Sequence, residues 1–470
     1  MSLRKLGCER RFERYLDGLA GVMGHADRVG PLRDYCTGLL LPCERKSVEP
    51  MAAATAPGRT SAQHQSLLHF VGQGAWCDEQ VLCKVREMVL PKMKRQGAIE
   101  AWIIDDTAFP KQGKHSVGVG HQYCGQLGKQ ENCQAAVSLS IANHNASLPV
   151  CYRLYLPQDW ADDAARRRKV GVPADIVFKT KPEIAIDQIR WAVENGLPPG
   201  VVLADAGYGN NSLWRTQISA LNLAYAVGVR ADTTVWPPGA KLVARKKTRR
   251  SKSTTVRRGK DNPVSVKELA LALPNRAWRT IGWREGSNER LSSRFARVRV
   301  RAANADVLRD EEWLLIEWPK GEEQPAKYWL STLAADTAFE RMVELAQMRW
   351  RIERDYQELK QELGLGHFEG RGWRGFHHHA TLCIAAYGFL VSERETLSPS
   401  GPRSTAWRPK FAVSNNYRPR GAATTNATSH SKLDRDDALA ADRGARKAAA
   451  AMSMLREKKS AARTLCVMTQ

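Results

Sequence analysis

The spacing of apolar positions changes character several times along the chain. Up to about residue 95 they recur at three- and four-residue intervals, most clearly over 10–23 and 78–93, which predicts amphipathic helices. The polar stretch 47–62, with its Ala, Pro and Ser, reads as a loop between them. From residue 98 the period shortens. The run IEAWIIDD has the continuous apolar character of a buried strand and ends on two carboxylates, Asp105 and Asp106. Neighbouring strands are predicted at 116–123, 134–142 and 150–156, then a helix over 182–195. A short apolar run, 201–203, leads to Asp205, a Gly-containing turn and a further helix, and 223–229 reads as another strand.

The stretch 230–335 differs. Residues 241–260 contain ten Lys/Arg and no acid, a pattern of either a solvated loop or a DNA-binding one. Strands recur at 296–302, 313–318 and 328–333, so this stretch reads as a β-rich insertion. One long helix is expected over 337–363 and a second over 378–394. In the first, Leu345, Met348, Ile352, Tyr356, Leu359 and Leu363 form the apolar stripe. Arg349, Glu353 and Lys360 fall together on one flank of that stripe. A metal site with flanking phosphate contacts fits this spacing, and so does an ordinary Arg349–Glu353 surface ion pair. Residues 401–470 carry 14 Lys/Arg against 5 Asp/Glu with little apolar patterning, and predict a disordered or weakly docked basic arm.

Charge narrows the function. Over 470 residues, 72 Lys/Arg against 49 Asp/Glu give a net charge of +23, which points to a polyanionic partner, most often nucleic acid. No apolar stretch reaches the ~18 residues of a spanning helix, and the charged start MSLRKLGCERRFERYLDG lacks a signal-peptide core. Ten cysteines with no C-x-x-C pair predict free thiols in a reducing cytoplasm; Cys124 and Cys133 read as buried thiols rather than ligands. Phosphate-binding Gly-rich loops, H-E-x-x-H and G-x-S-x-G are all absent. The run His377, His378, His379 is expected at the surface or on phosphate, because three successive side chains on a helix diverge.

Three acids remain. Asp105 and Asp205 each end a strand, where an α/β sheet gathers functional groups, and Glu353 sits on a core-facing helix. Carboxylates so arranged can hold Mg²⁺, which prefers hard oxygen ligands; each acid alone would also serve as a turn or cap.

With these residues in place, the sequence resembles the DDE insertion-sequence transposases. The carrying motifs are Asp105-x-Thr107 after a strand, ADAGYG around Asp205, and RWRIERDYQELK at 349–360. More narrowly it is similar to the branch with a spaced Y-x2-R-x3-E-x6-K signature, filled here by Arg349, Glu353 and Lys360, with Ala346 where that branch has tyrosine. The resemblance covers about residues 10–400. It implies an α/β, RNase H-like mixed sheet flanked by helices, with an N-terminal helical DNA-binding region (1–95), a core in two parts (96–230 and 336–400) and the β-rich insertion (231–335) between them. It also implies that Asp105, Asp205 and Glu353 are catalytic and ligate two Mg²⁺, for which Mn²⁺ substitutes. Arg349, Lys360 and Thr107, with Lys246, Lys247, Arg249 and Arg250 of the basic run, are the expected DNA contacts. The implied partners are double-stranded DNA, at element ends and target, and a second protomer; the implied location is the nucleoid. Asp106 and Glu358 are the rivals of Asp105 and Glu353. Trp313, Trp318 and Trp329 are candidates to stack on a flipped base, against the simpler reading that they pack the core. A DNA-binding remnant without catalysis and a nuclease without strand transfer are the alternatives.

Overall fold

The computed structural model describes residues 3–240, 243–244, 256–257, 262–285, 289–303 and 309–397. The basic run with Lys246, Lys247, Arg249 and Arg250, and the 401–470 arm, lie outside the described residues.

The chain begins with five helices: α1 (Leu3–Ala20), α2 (Val29–Leu40), α3 (Val48–Thr55), α4 (Thr60–Gly72) and α5 (Asp78–Gln96). The stretch 47–62 is therefore not the expected loop. Its alanines favour helix, and Met51 and Ala52 are fully buried. Met51 packs so closely on α2 that a Cβ at Gly38 would meet it at 2.9 Å.

The sheet begins with β1 (Ala101–Pro110), β2 (Gly120–Cys124), β3 (Lys129–Ala142) and β4 (Ser147–Leu154), all antiparallel neighbours. After the short helices α6 (Gln158–Asp162) and α7 (Ala164–Lys169) comes α8 (Lys181–Glu194), started by a capping box between Thr180 and Glu183. Then β5 (Val201–Ala204) pairs parallel to β1, the small helices α9 (Ala206–Gly209) and α10 (Ser212–Ala220) follow, and β6 (Tyr225–Val229) pairs parallel to β5.

The expected insertion contributes β7 (Thr234–Trp236), a β8–β9 ribbon (Val243–Ala244 with Val256–Arg257), β10 (Val264–Ser265), α11 (Val266–Leu271), β11 (Arg279–Glu285), β12 (Glu289–Ala302), β13 (Glu312–Trp318) and β14 (Lys327–Ser331). Apart from the β8–β9 ribbon, these strands do not form a separate sheet. β14 pairs antiparallel with β6, so one twelve-stranded sheet runs β10-β7-β12-β13-β14-β6-β5-β1-β3-β2, with β11 on β12 and β4 on β3. The mixed sheet flanked by helices is the RNase H-like arrangement the sequence leads one to expect.

The helix expected over 337–363 is two: α12 (Phe339–Gln347) and α13 (Trp350–Gln361). At the break, Arg351 and Ile352 donate to the carbonyls three residues back, a tightened turn that keeps the apolar stripe facing inward. All six stripe residues are buried. Through Phe339, Met342, Val343 and Ala346, α12 covers Phe295, Leu315 and Trp329 of the added strands. Met348 at the end of α12, with Ile352 and Tyr356 of α13, covers Ala101, Ile103 and Leu203 at the sheet centre. The last described helix, α14 (Trp373–Leu397), packs against β4 and the N-terminal helices, and one continuous apolar core joins them.

Candidate active site

Successive residues of a strand face opposite ways, so β1 separates Asp105 from Asp106. Both lie within the strand and not at its end as expected, because pairing with β3 carries it on to Pro110. Asp105 shares the face of Ala101 and Ile103, the one covered by α13. There its Oδ2 accepts from Arg349 Nη1 at 2.8 Å. Tyr356 braces the strand from the same helix: its hydroxyl lies 3.1 Å from the Asp105 carbonyl and 2.8 Å from the Ser138 hydroxyl. Asp106 belongs to the other face, where it accepts from Lys181 Nζ at 2.6 Å and from the Tyr208 hydroxyl at 3.1 Å. The rival acid is thus already neutralised and hydrogen-bonded by α8 and α9.

Asp205 enters by register. β1 and β5 run parallel with Ile103 opposite Leu203, and Asp105 and Asp205 each lie two residues further on. Asp205 is also the N-cap of α9, accepting from Gly207 N at 2.9 Å and Tyr208 N at 3.4 Å. The ADAGYG turn needs its last glycine because α9 lies against β6. A Cβ on Gly209 would sit 2.0 Å from the Gly228 carbonyl oxygen.

Glu353 comes from the first turn of α13 and its side chain is 62% exposed. Arg349, at the N-cap, spans the gap to the strand: Nη2 donates to Glu353 Oε1 at 2.6 Å while Nη1 holds Asp105. Of the two readings of the 349/353 spacing, the ion pair is present, and the same guanidinium also reaches Asp105. Burial pushes the Asp105 carboxyl up to about 7; Asp205 and Asp106 push the same way and Arg349 opposes them.

The other candidates are placed differently. Lys360 donates to the Ala108 carbonyl at 2.8 Å and lies 4.9 Å from the Phe109 ring centre, and burial pulls it down to about 8. It is docked along β1, near the acids but turned toward backbone. Thr107 is buried on the same strand, and this structure does not bring its hydroxyl to the surface. Glu358, the rival of Glu353, is held by Arg354 at 3.0 Å and by Arg394 of α14 at 2.8 Å.

The three histidines are a correction. His377, His378 and His379 are buried, not on the surface, because α14 is enclosed by the N-terminal helices and β4. Their rings serve the backbone: His377 meets Leu154 N, His378 lies between the carbonyls of Val71 and Trp76, and His379 joins Gly364 O to the Tyr35 hydroxyl. Trp329 is buried in the core, Trp313 packs against Arg297 and Arg299, and Trp318 meets Trp278 edge-on. Cys124 and Cys133 are buried free thiols.

The donor chemistry suits a hard divalent cation: three carboxylates, no thiol, and a single bridging guanidinium. As the side chains stand, no three His, Cys, Asp or Glu groups among the described residues gather closely enough to hold one.

A large mixed sheet with Asp105 within β1 and Asp205 just after the parallel β5 is the arrangement expected of an RNase H-like phosphodiester enzyme, and comparison with known proteins agrees. The DDE superfamily endonuclease family matches residues 18–290, more than half of the chain, and the chain belongs to that superfamily. The match spans Asp105 and Asp205 and ends before Glu353. Endonucleases of this superfamily generally use divalent metal ions. Over 169 residues the chain is 30% identical to the probable transposase for insertion sequence element IS701 of Microchaete diplosiphon; the alignment covers 36% of this chain and 41% of that relative. Among the described residues no helix is long and apolar enough to cross a membrane.

Proposed function

We propose that this chain is an insertion-sequence transposase of the Y-R-E-K branch, cutting DNA at element ends and joining the freed ends to target DNA. The observation that carries the reading is the register equivalence of Asp105 and Asp205 on parallel strands, with Glu353 tied to Asp105 by Arg349. Superfamily membership and the similarity to a probable transposase support it.

Asp105, Asp205 and Glu353 are the residues that would hold the metal, two Mg²⁺ with Mn²⁺ as a substitute. Such ions, when bound, activate an attacking water and stabilise the leaving 3′ oxygen. The protein's own part is positioning. The parallel strands fix two carboxylates, Tyr356 and Ser138 brace the strand beneath Asp105, and α13 supplies the third acid from an exposed turn. Arg349 offers the phosphate-matching fork, Lys360 a second cation beside β1, and the basic run 241–260 a sequence-independent grip on the backbone. The five N-terminal helices serve as a DNA-binding region, and cutting two ends calls for two protomers acting at the nucleoid.

The test uses the full chain, DNA carrying the sequences that flank its gene, and Mg²⁺ or Mn²⁺. Nicking at the element ends and joined products are expected. Asp105→Asn, Asp205→Asn and Glu353→Gln should each reduce nicking by more than about a hundredfold, as should EDTA. Binding without cleavage in the unaltered protein would overturn the reading in favour of a DNA-binding remnant, and nicking without joined products would favour a nuclease.

A further inference from the structure

We infer that Arg349 is an internal counter-cation that occupies the carboxylate oxygens meant for metal and releases them when DNA phosphate takes its place. This deepens the proposed function and rests on it, since it assumes that Asp105 and Glu353 are metal ligands.

The geometry is specific. One guanidinium uses two different nitrogens on two different carboxylates, Asp105 Oδ2 at 2.8 Å and Glu353 Oε1 at 2.6 Å. The carboxylates come from elements about 250 residues apart in sequence, so the contact is tertiary as well as an i, i+4 pair. Asp205 also acts on Arg349 by charge, so all three acids lean on a single cation. A divalent ion seeking Asp105 and Glu353 must compete for the oxygen atoms Arg349 now holds.

The position of Arg349 suits an exchangeable partner. It stands at the break between α12 and α13, as the N-cap of α13. A cation there opposes the helix dipole, so its carboxylate partners compensate for an unfavourable place. Its side chain keeps 25% of its surface accessible and can be reached from solvent. A phosphodiester offers the fork two oxygens in the same planar, bidentate fashion as a carboxylate. Phosphate docking therefore gives Arg349 an alternative anion and leaves Asp105 and Glu353 bare together. Metal binding and DNA binding then favour each other, by the same factor in each direction.

The coupling is measured as Mn²⁺ affinity, by calorimetry or by loss of the free-ion electron paramagnetic resonance signal, with no activity assay. Without DNA, Arg349→Gln is expected to bind Mn²⁺ at least about tenfold tighter than the unaltered chain. A short duplex of arbitrary sequence should tighten Mn²⁺ binding to the unaltered chain, after subtracting uptake by the duplex alone, and should do so much less for Arg349→Gln. Arg349→Lys keeps the charge but lacks the fork, and should fall between the two; melting curves confirm that both variants are folded. Equal or weaker Mn²⁺ binding by folded Arg349→Gln would sink the coupling. If Glu353→Gln and Asp105→Asn abolish Mn²⁺ binding while Arg349→Gln leaves it unchanged, the coupling fails and the metal-ligand reading stands. If none of these substitutions alters Mn²⁺ binding, both fail.

Discussion

Asp105 and Asp106 show what a single residue step decides. Both end the same apolar run, yet alternation gives one to α13 and Arg349 and the other to Lys181 and Tyr208. Which acid faces which helix was not legible, because alternation tells the two apart only once the helix on each side is known. Tyr356 was legible as a core residue but not as a brace for Asp105, since one hydroxyl leaves no mark on periodicity. His379 was misread for a related reason: divergence of three successive helix side chains suggested exposure, while α14 is enclosed on every side and the fold supplies partners for both ring nitrogens. Burial pulls this imidazole down to about 4 from an ordinary 6.5, so the folded state favours the neutral form. The stability this represents is fully present above pH 6.5 and is lost as pH falls from there toward 4. It amounts to on the order of 3 kcal/mol once the ring is fully charged. Urea unfolding of the unaltered chain should therefore show a falling midpoint between pH 7 and pH 4.5. His379→Gln should have a lower midpoint at pH 7 and a visibly flatter slope.

At the scale of elements, the apolar pattern was a good guide where burial is continuous, as in the central strands, or confined to one stripe, as in the helices that cover them. β5, α8 and the stripe 345–363 stand close to where the pattern puts them, whereas β1 runs on past the two acids to Pro110. It failed at 47–62, where short helices read as a polar stretch because few of their residues are core. It also passed over β11, an edge strand that carries alternating polar residues against β12. The break between α12 and α13 was invisible because its backbone stays in the helical region and the stripe runs on unbroken. The ADAGYG turn was legible as a motif, but the reason for its final glycine was not. That reason is the contact of α9 with β6, and it makes a prediction. Gly209→Ala must move α9 away from the Gly228 carbonyl. Overpacking of this kind costs about 1–3 kcal/mol or more, and the thermal midpoint of unfolding should fall accordingly. Because Asp205 is the N-cap of the same turn, nicking should fall in parallel even at temperatures where the variant is folded.

For the molecule as a whole, the excess of 23 positive charges is the most legible property and the least tied to any one element. It sets an expectation for binding: affinity for any duplex should fall steeply and linearly on logarithmic axes as salt rises. Replacing Lys246, Lys247, Arg249 and Arg250 with glutamine should weaken specific and arbitrary duplexes alike and flatten that slope by about 3 to 4, measured by fluorescence anisotropy. The sheet has a different consequence. β6 pairs with β5 on one side and with β14 on the other, and about 100 residues of chain separate β6 from β14. At roughly 5–20 residues per second of synthesis, β6 waits some 5–20 seconds on the ribosome with one edge open. Arg349 and Glu353 emerge later still. Until β14 arrives, the half-made protein carries a bare strand edge able to pair with another nascent copy. The rate at which ribosomes cross the stretch between these strands thus bears on how much of the protein reaches its native form.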